Sequence, residues 1–328
     1  MRLVLACILG LAMGGTGAAS PAPEVSIFPK SRPEGAVPMV TKVSTSNIAF
    51  ARWIDGFRQR ARGAGIRGRV FDAAFQGVRY DTDVIRRDRN QSEFTKQIWE
   101  YLDSAVSDTR VRNGRAAFQE HARLLARIED RYGVEAEVVT AIWGLESAYG
   151  AFRGDTPIVS ALATLAYDGR RGAFFEQQLI AALKILQAGD VSPRKMTGSW
   201  AGAMGHTQFI PTSYLDYAVD FTGDGKRDIW ADNPADALAS TAAYLKRFGW
   251  KKGQPWGVEV RLPRGFNYSQ TGERIKKNPR DWAALGVRDM RGGVVPNHGR
   301  ASILLPAGAQ GAAFMIFDNF HVIERYNT

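Results

Sequence analysis

The chain has 328 residues, 45% hydrophobic and 23% charged, a balance that excludes a disordered chain and supplies one extended core or two smaller ones. Its formal net charge of +10 favours an acidic partner without choosing among polyanions. No dense Lys/Arg run interleaved with aromatics supports nucleic acid.

Met1 and Arg2 precede an apolar run from Leu3 to Met13 and small residues ending at Ser20, the order of a secretory signal peptide over residues 1–20. No later stretch approaches the roughly 20 apolar residues of a transmembrane helix. We therefore expect an exported, periplasmic protein, for which acidic cell-wall polymer is a more accessible partner than nucleic acid. The only cysteine, Cys7, would leave with the signal, so the mature chain has neither a disulfide nor a thiolate metal site.

Residues 21–46 are rich in Pro, Ser and Thr without apolar periodicity and read as a flexible leader. From 47 to about 130 apolar residues recur at helical spacing, as in Phe50, Trp53, Ile54 and Phe57, which predicts a helical domain. Helical patterns continue at Val134–Tyr149, Pro157–Ala166, Ala173–Gln187 and Asp236–Phe248, the last opened by Asn233 and Pro234. After Gly253 short apolar runs at Gly257–Leu262, Ala301–Leu305 and Ala312–Phe317, broken by Gly and Pro, predict a small β subdomain. The fold class is α+β, mainly α.

Val134, Val138, Ile142 and Glu146 fall four apart, which places Glu146 on the apolar stripe of its helix. Burial disfavours the charged carboxylate and raises its pKa towards that of a general acid. A buried ion pair with an arginine satisfies the same spacing equally well. Gly150 is suited to ending the helix at positive φ. The stretch Gly202-Ala203-Met204-Gly205 with Gln208-Phe209 lets backbone approach a sugar while Gln208 hydrogen-bonds it, and it also fits a tight structural turn. Asp220, Thr222, Asp224 and Asp228 stand at positions one, three, five and nine of a loop with Gly225 at six, the first half of an EF-hand; position twelve is Ala231. The same Asp/Gly pattern forms metal-free turns. His121, His206, His298 and His321 are scattered and form no His-Glu-x-x-His or Cys pairing, so no catalytic zinc is expected. No Gly-x-Ser-x-Gly elbow marks a serine nucleophile.

Glu146-Ser147-Ala148-Tyr149-Gly150 resembles the Glu-x-x-aromatic-Gly segment of the family B lytic murein transglycosylases. The likeness continues in order through Ala161–Leu165, Arg170-Arg171, Ala201–Gly205, Gln208–Pro211, Ala218–Phe221, Asp224-Gly225, Trp230, Asp236-Ala237, Tyr244, Asn319-Phe320 and Arg325-Tyr326-Asn327. It implies a lysozyme-like core over 131–252, holding an EF-hand-like loop at 220–236, between the helical domain and a β subdomain at 253–311, with 312–328 returning to the core. It also implies cleavage of the β-1,4 bond between N-acetylmuramic acid and N-acetylglucosamine with formation of 1,6-anhydromuramic ends, Glu146 acting as both acid and base. Ser199, Met204 and Gln208 would line the groove, Arg170 and Arg171 would meet substrate carboxylates, and Tyr244 and Tyr326 would stack or hydrogen-bond. No cofactor would be required. A structural calcium on Asp220, Thr222, Asp224, Lys226 (through its backbone oxygen) and Asp236 is an alternative to the metal-free loop. The expected partners are peptidoglycan glycan strands, with cell-wall synthesis proteins as an open class. A lysozyme-like hydrolase and a non-catalytic peptidoglycan-binding protein are the rival readings, and a calcium-binding regulatory module trails them.

Overall fold

A computed structural model of the chain describes residues 45–90 and 98–326; the expected signal segment, residues 21–44 of the leader and Asn327 lie outside them. The N-terminal half is helical, as its periodicity predicts: α1 (Thr45–Gly63), α2 (Gly68–Phe75), α3 (Thr82–Arg89), α4 (Ile98–Ala105), α5 (Asp108–Glu120) and α6 (Ala122–Tyr132). Local chemistry sets several of these ends. The Asp81 carboxylate accepts from the N–H groups of Asp83 and Val84 to start α3, and the Ser107 hydroxyl accepts from Arg110 N to start α5. Gly133, at φ 66°, ends α6. Phe57, wholly buried, stacks on Trp53 with ring centroids 5.3 Å apart and meets Phe71 and Phe75, so α1 and α2 are joined by aromatic area.

Next come α7 (Ala136–Ser147), the short strand β1 (Thr156–Pro157), α8 (Ile158–Asp168), α9 (Gly172–Ala188), β2 (Thr197–Gly198), α10 (Pro211–Tyr217) and α11 (Ala235–Arg247). Helix α8 is buried along almost its whole surface, from Ile158 through Ala166, which makes it the central helix rather than an amphipathic one. One continuous apolar cluster runs from Phe50 to Leu245 and takes in Val322. The boundary expected near residue 130 is therefore not a break in the core; the first helices and those of the 131–252 region bury their faces against each other.

Strands β3 (Gly257–Arg261), β4 (Arg288–Asp289), β5 (Ser302–Leu304) and β6 (Ala313–Ile316) form an antiparallel sheet in the order β4-β3-β6-β5. The boundary expected at 311 falls too early, because Met315 on β6 pairs with Val258 on one side and Ile303 on the other. The return to the core begins with α13 (Asp318–Tyr326), which packs on α11. Between β3 and β4, α12 (Pro279–Ala284) drives Trp282 into a second, separate cluster with Val260, Val287, Ile303 and Met315. The Trp282 indole is fully buried and donates to the Ala301 carbonyl at 2.8 Å. Trp282→Ala should lower unfolding stability by about 3–5 kcal/mol. Hydrogen exchange should show protection lost in β3–β6 and kept in α8 and α9.

Candidate functional site

The buried face of α7 comprises Ala136, Val139, Thr140, Ile142, Trp143, Gly144 and Ser147. Of the stripe read from sequence, Val134 precedes the helix and Val138 is only partly buried. Glu146 therefore lies on the flank of the buried face, partly exposed as a residue, which leaves a ligand a path to it. Its carboxyl has no hydrogen bond and no ion pair among the described residues, and burial alone raises its pKa to about 8. Among the described residues no arginine partners Glu146 in a structural pair, and burial is what shifts its carboxyl.

The chain leaves α7 through three successive left-handed residues, Ala148 at φ 48°, Tyr149 at 62° and Gly150 at 85°. Helix α7 thus ends at Ser147, before the glycine expected to end it. Two non-glycine residues in this region cost of order 1 kcal/mol each, so surrounding contacts must hold them. The Ser147 hydroxyl donates to the His206 carbonyl at 2.5 Å and accepts from Gly150 N at 2.9 Å. The Tyr149 hydroxyl donates to Arg110 O at 3.0 Å. Its ring occupies a slot between Gly114 on α5 and Gly144 on α7, where a Cβ at either position would overlap it. The Arg110 guanidinium donates to the Gly144 carbonyl and closes the slot.

His206, 4% exposed, fastens this turn to the segment behind it. Its Nδ1 accepts from Trp143 Nε1 at 3.1 Å and its Nε2 meets Ala231 O at 2.7 Å, partners that require the neutral tautomer with Nε2 protonated. Burial lowers its pKa, in keeping with that state. Arg153 bridges the Trp230 and Ala231 carbonyls at 2.9 and 3.0 Å and pairs with Asp232 at 2.9 Å. Sequence reading singled out neither His206 nor Arg153 for a role, because no spacing relates them to α7; only their closeness in sequence to the Glu146 and Gln208 motifs could have marked them.

The 198–209 turn lies tightly against its neighbours: a Cβ at Gly198 would strike the Ala203 carbonyl, and one at Gly205 the Ile229 carbonyl. The Ser199 hydroxyl accepts from Ala203 N at 3.0 Å. Gln208 sits at φ 52° and its amide donates to Arg153 O and Gly205 O at 3.1 and 2.8 Å, leaving its carbonyl oxygen unbonded among the described residues. Met204 is fully buried and pairs by backbone with Phe209 at 2.9 Å; it shapes the turn and presents no side chain to a ligand, contrary to expectation. Tyr244, 7% exposed, packs among Phe209, Tyr217, Phe248 and Tyr326 and donates to Arg325 O at 2.7 Å, so it is a core residue here. Tyr326 donates to Thr207 O at 2.9 Å. Burial first, and the Glu146 carboxyl second, raise its pKa.

Arg170 and Arg171 converge on Asp88 of α3, whose side chain is 1% exposed: Arg170 grips it in a fork at 2.7 Å and Arg171 reaches it at 3.4 Å. Arg171 also lies 4.7 Å over the Phe175 ring. Much of the pair's hydrogen bonding is thus structural, although both side chains retain exposure of 43% and 31%.

In the 220–236 loop, carboxylate oxygens of Asp220, Asp224 and Asp236 lie within 4.8 Å of one another. Asp236, 2% exposed, accepts from Phe221, Thr222 and Asp228 N–H groups at 2.9, 3.0 and 3.0 Å, yet burial still raises its pKa. Thr222 Oγ1 lies 3.3 Å from Asp220, and the Lys226 backbone N–H bonds Asp224. Asp228, counted as position nine, turns away to cap Trp230 N and Ala231 N. Ser147→Ala would leave the His206 carbonyl and Gly150 N–H without their partner. It should cost about 1–3 kcal/mol in chemical denaturation, against under 1 kcal/mol for the exposed Ala141→Ser.

Residues 49–328 match the family model described as the transglycosylase SLT domain. Membrane-bound lytic murein transglycosylase B of Escherichia coli (strain K12) is 35% identical over 234 residues, 69% of this chain and 62% of that protein; the match spans less than two thirds of that relative. SltB3 of Pseudomonas aeruginosa, solved in complex with NAG-anhNAM-pentapeptide, is similar with a TM-score of 0.82 and 53% identity, covering 85% of this chain and 75% of that one. The Escherichia coli lytic transglycosylase SLT35, solved in complex with calcium, has a TM-score of 0.70 and 32% identity, covering 86% and 88%. With its helix-rich, lysozyme-like architecture and a match that runs from α1 to the last residue, the chain belongs to the transglycosylase SLT-domain family, among the family B lytic transglycosylases.

Proposed function

We propose that this chain cleaves the β-1,4 bond between N-acetylmuramic acid and N-acetylglucosamine in peptidoglycan, forming a 1,6-anhydromuramic end, with Glu146 as acid and then base. The observation that carries the reading is the Glu146 carboxyl, which has no hydrogen bond or ion pair among the described residues and whose pKa burial raises to about 8. Glu146 gives its proton to the glycosidic oxygen as the bond to C1 breaks. Its carboxylate then takes the proton of the muramic C6 hydroxyl as O6 bonds C1, so no water is consumed and the acid is restored. An intramolecular hydroxyl acts at very high effective molarity, which makes a second activating carboxylate less necessary. A lysozyme-like hydrolase commonly uses a carboxyl pair and would leave a reducing muramic end instead. The NAG-anhNAM-pentapeptide bound by SltB3 supports the same product class.

The free Gln208 carbonyl and the Ser199 hydroxyl are the proposed sugar partners beside Glu146, and Tyr326 fixes the wall of the site through Thr207. Arg170 and Arg171, with one buried carboxylate between them, retain net positive charge for the substrate's carboxylates. By likeness to calcium-bound SLT35, the oxygens of Asp220, Thr222, Asp224 and Asp236 with the Lys226 carbonyl would hold calcium. The three clustered carboxylates and the nearly inaccessible Asp236 fit such an ion. Calcium would stiffen the loop and take no part in the chemistry. Among the described residues no helix is long and apolar enough to cross a membrane. With the signal-like N-terminus, we place the protein in the periplasm, with cell-wall synthesis proteins as its expected class of partner.

Mass spectrometry of purified peptidoglycan should show anhydromuropeptides released by the wild-type chain and none by Glu146→Gln. Reducing muramic ends would instead identify a hydrolase, and no release by either a binding protein. Release should fall as pH rises through about 8, where Glu146 loses its proton. Because its folded pKa of about 8 exceeds the reference 4.5, stability is fully present below 4.5 and lost as pH rises to about 8. Glu146→Gln should accordingly match wild type at pH near 4 and exceed it by on the order of 2 kcal/mol above pH 8, screening at the partly exposed site included. Calcium should raise the Tm of the wild-type chain by several degrees and leave that of Asp224→Ala unchanged.

A further inference from the structure

The four histidines, scattered in sequence, include one that the fold brings into a mixed donor set. Glu273, in the loop after β3, faces His321 and Glu324 on α13, with one ligand atom from each within 4.8 Å of the others and all three residues partly buried. His321 and Glu324 are three apart on one helical face. Their Nδ1 and Oε2 atoms lie 3.3 Å apart, which is about the edge of a tetrahedron around an ion with bonds near 2.0–2.1 Å. Although the chain carries 43 Lys and Arg, neither glutamate has a Lys or Arg ion pair among the described residues. The nearby ammonium groups of Lys251 and Lys276 go to Asp318 at 2.8 and 3.9 Å.

The backbone that carries each half of the cluster is held in advance. On the loop side, Gly272 N donates to Ile303 O at 2.8 Å and Ser302 Oγ donates to the Glu273 carbonyl at 2.8 Å. On the helix side, Asn319, 1% exposed, accepts from Lys251 N at 2.9 Å and donates to the Lys251 and Gln254 carbonyls. Ligands whose supports are set before binding lose little entropy on capturing an ion.

We propose that Glu273, His321 and Glu324 form a zinc site that clasps the β subdomain to α13. An imidazole with two carboxylates suits zinc and its borderline-soft neighbours better than calcium or magnesium, which prefer oxygen alone. Three protein ligands leave one position for water. The ion would be structural, joining the β subdomain to the helix that packs on α11.

The test is zinc titration of the chelator-treated, untagged full chain, read by thermal melting and by isothermal calorimetry, with cobalt(II) absorption as a probe of coordination. One equivalent of zinc should raise the Tm by several degrees, and cobalt should give the intense visible bands of a four-coordinate site. His321→Ala and Glu273→Gln should each weaken zinc binding about tenfold or more, whereas Asp224→Ala, in the 220–236 loop, should leave it unchanged. Glu324→Gln, which keeps the shape of the side chain, serves as a second variant if either of the others unfolds. No zinc binding by the wild-type chain, or binding that survives His321→Ala and Glu324→Gln alike, would overturn the proposal.

Discussion

A carboxyl group withdrawn from water with no counter-charge is the constraint on which the rest of this structure turns. A buried acid is ordinarily stabilised by an arginine or by backbone N–H groups, and either would hold it ionised. Among the described residues Glu146 has neither, so the protein gives up stability to keep it. Its position reconciles two needs: the flank of α7 is dry enough to raise the pKa and open enough to admit a ligand.

What keeps that position fixed is the way α7 ends. Three left-handed residues in succession turn the chain immediately after Glu146, and backbone strain of this kind persists only where contacts over-determine it. Those contacts come from several directions: the glycine slot for Tyr149, the Ser147 bridge to His206 O, and the bond from Trp143 to His206. His206 and Arg153 then carry the connection to residues 230–232, within the acidic loop. An ion in that loop would therefore stiffen a segment tied to the helix of the acid while lying outside the chemistry.

The extent to which this was legible in the sequence follows the reach of each signal. Helical periodicity marks α1, α7, α8, α9 and α11, and the Gly- and Pro-broken runs mark β3, β5 and β6, because these patterns repeat within a few residues. Glu146 stood out for a local reason as well, as an acid among apolar neighbours. The role of Asp88 was not visible, since a single aspartate in α3 gives no sign that it will meet Arg170 and Arg171 more than 80 residues later. Met204 and Tyr244 read as binding residues from the family pattern, yet the packing buries both. The grouping of Glu273 with His321 and Glu324 depends on how the β subdomain meets α13, which no local pattern encodes.

The central claim, that burial alone keeps Glu146 protonated near neutrality, is tested most directly by carbon-13 NMR of the chain labelled at the glutamate side-chain carboxyl, titrated with pH. Comparison with Glu146→Gln assigns the resonance. The account predicts that it titrates near pH 8, well apart from the other glutamates. Titration between about pH 4 and 5, the range of an ordinary solvated glutamate, would contradict it.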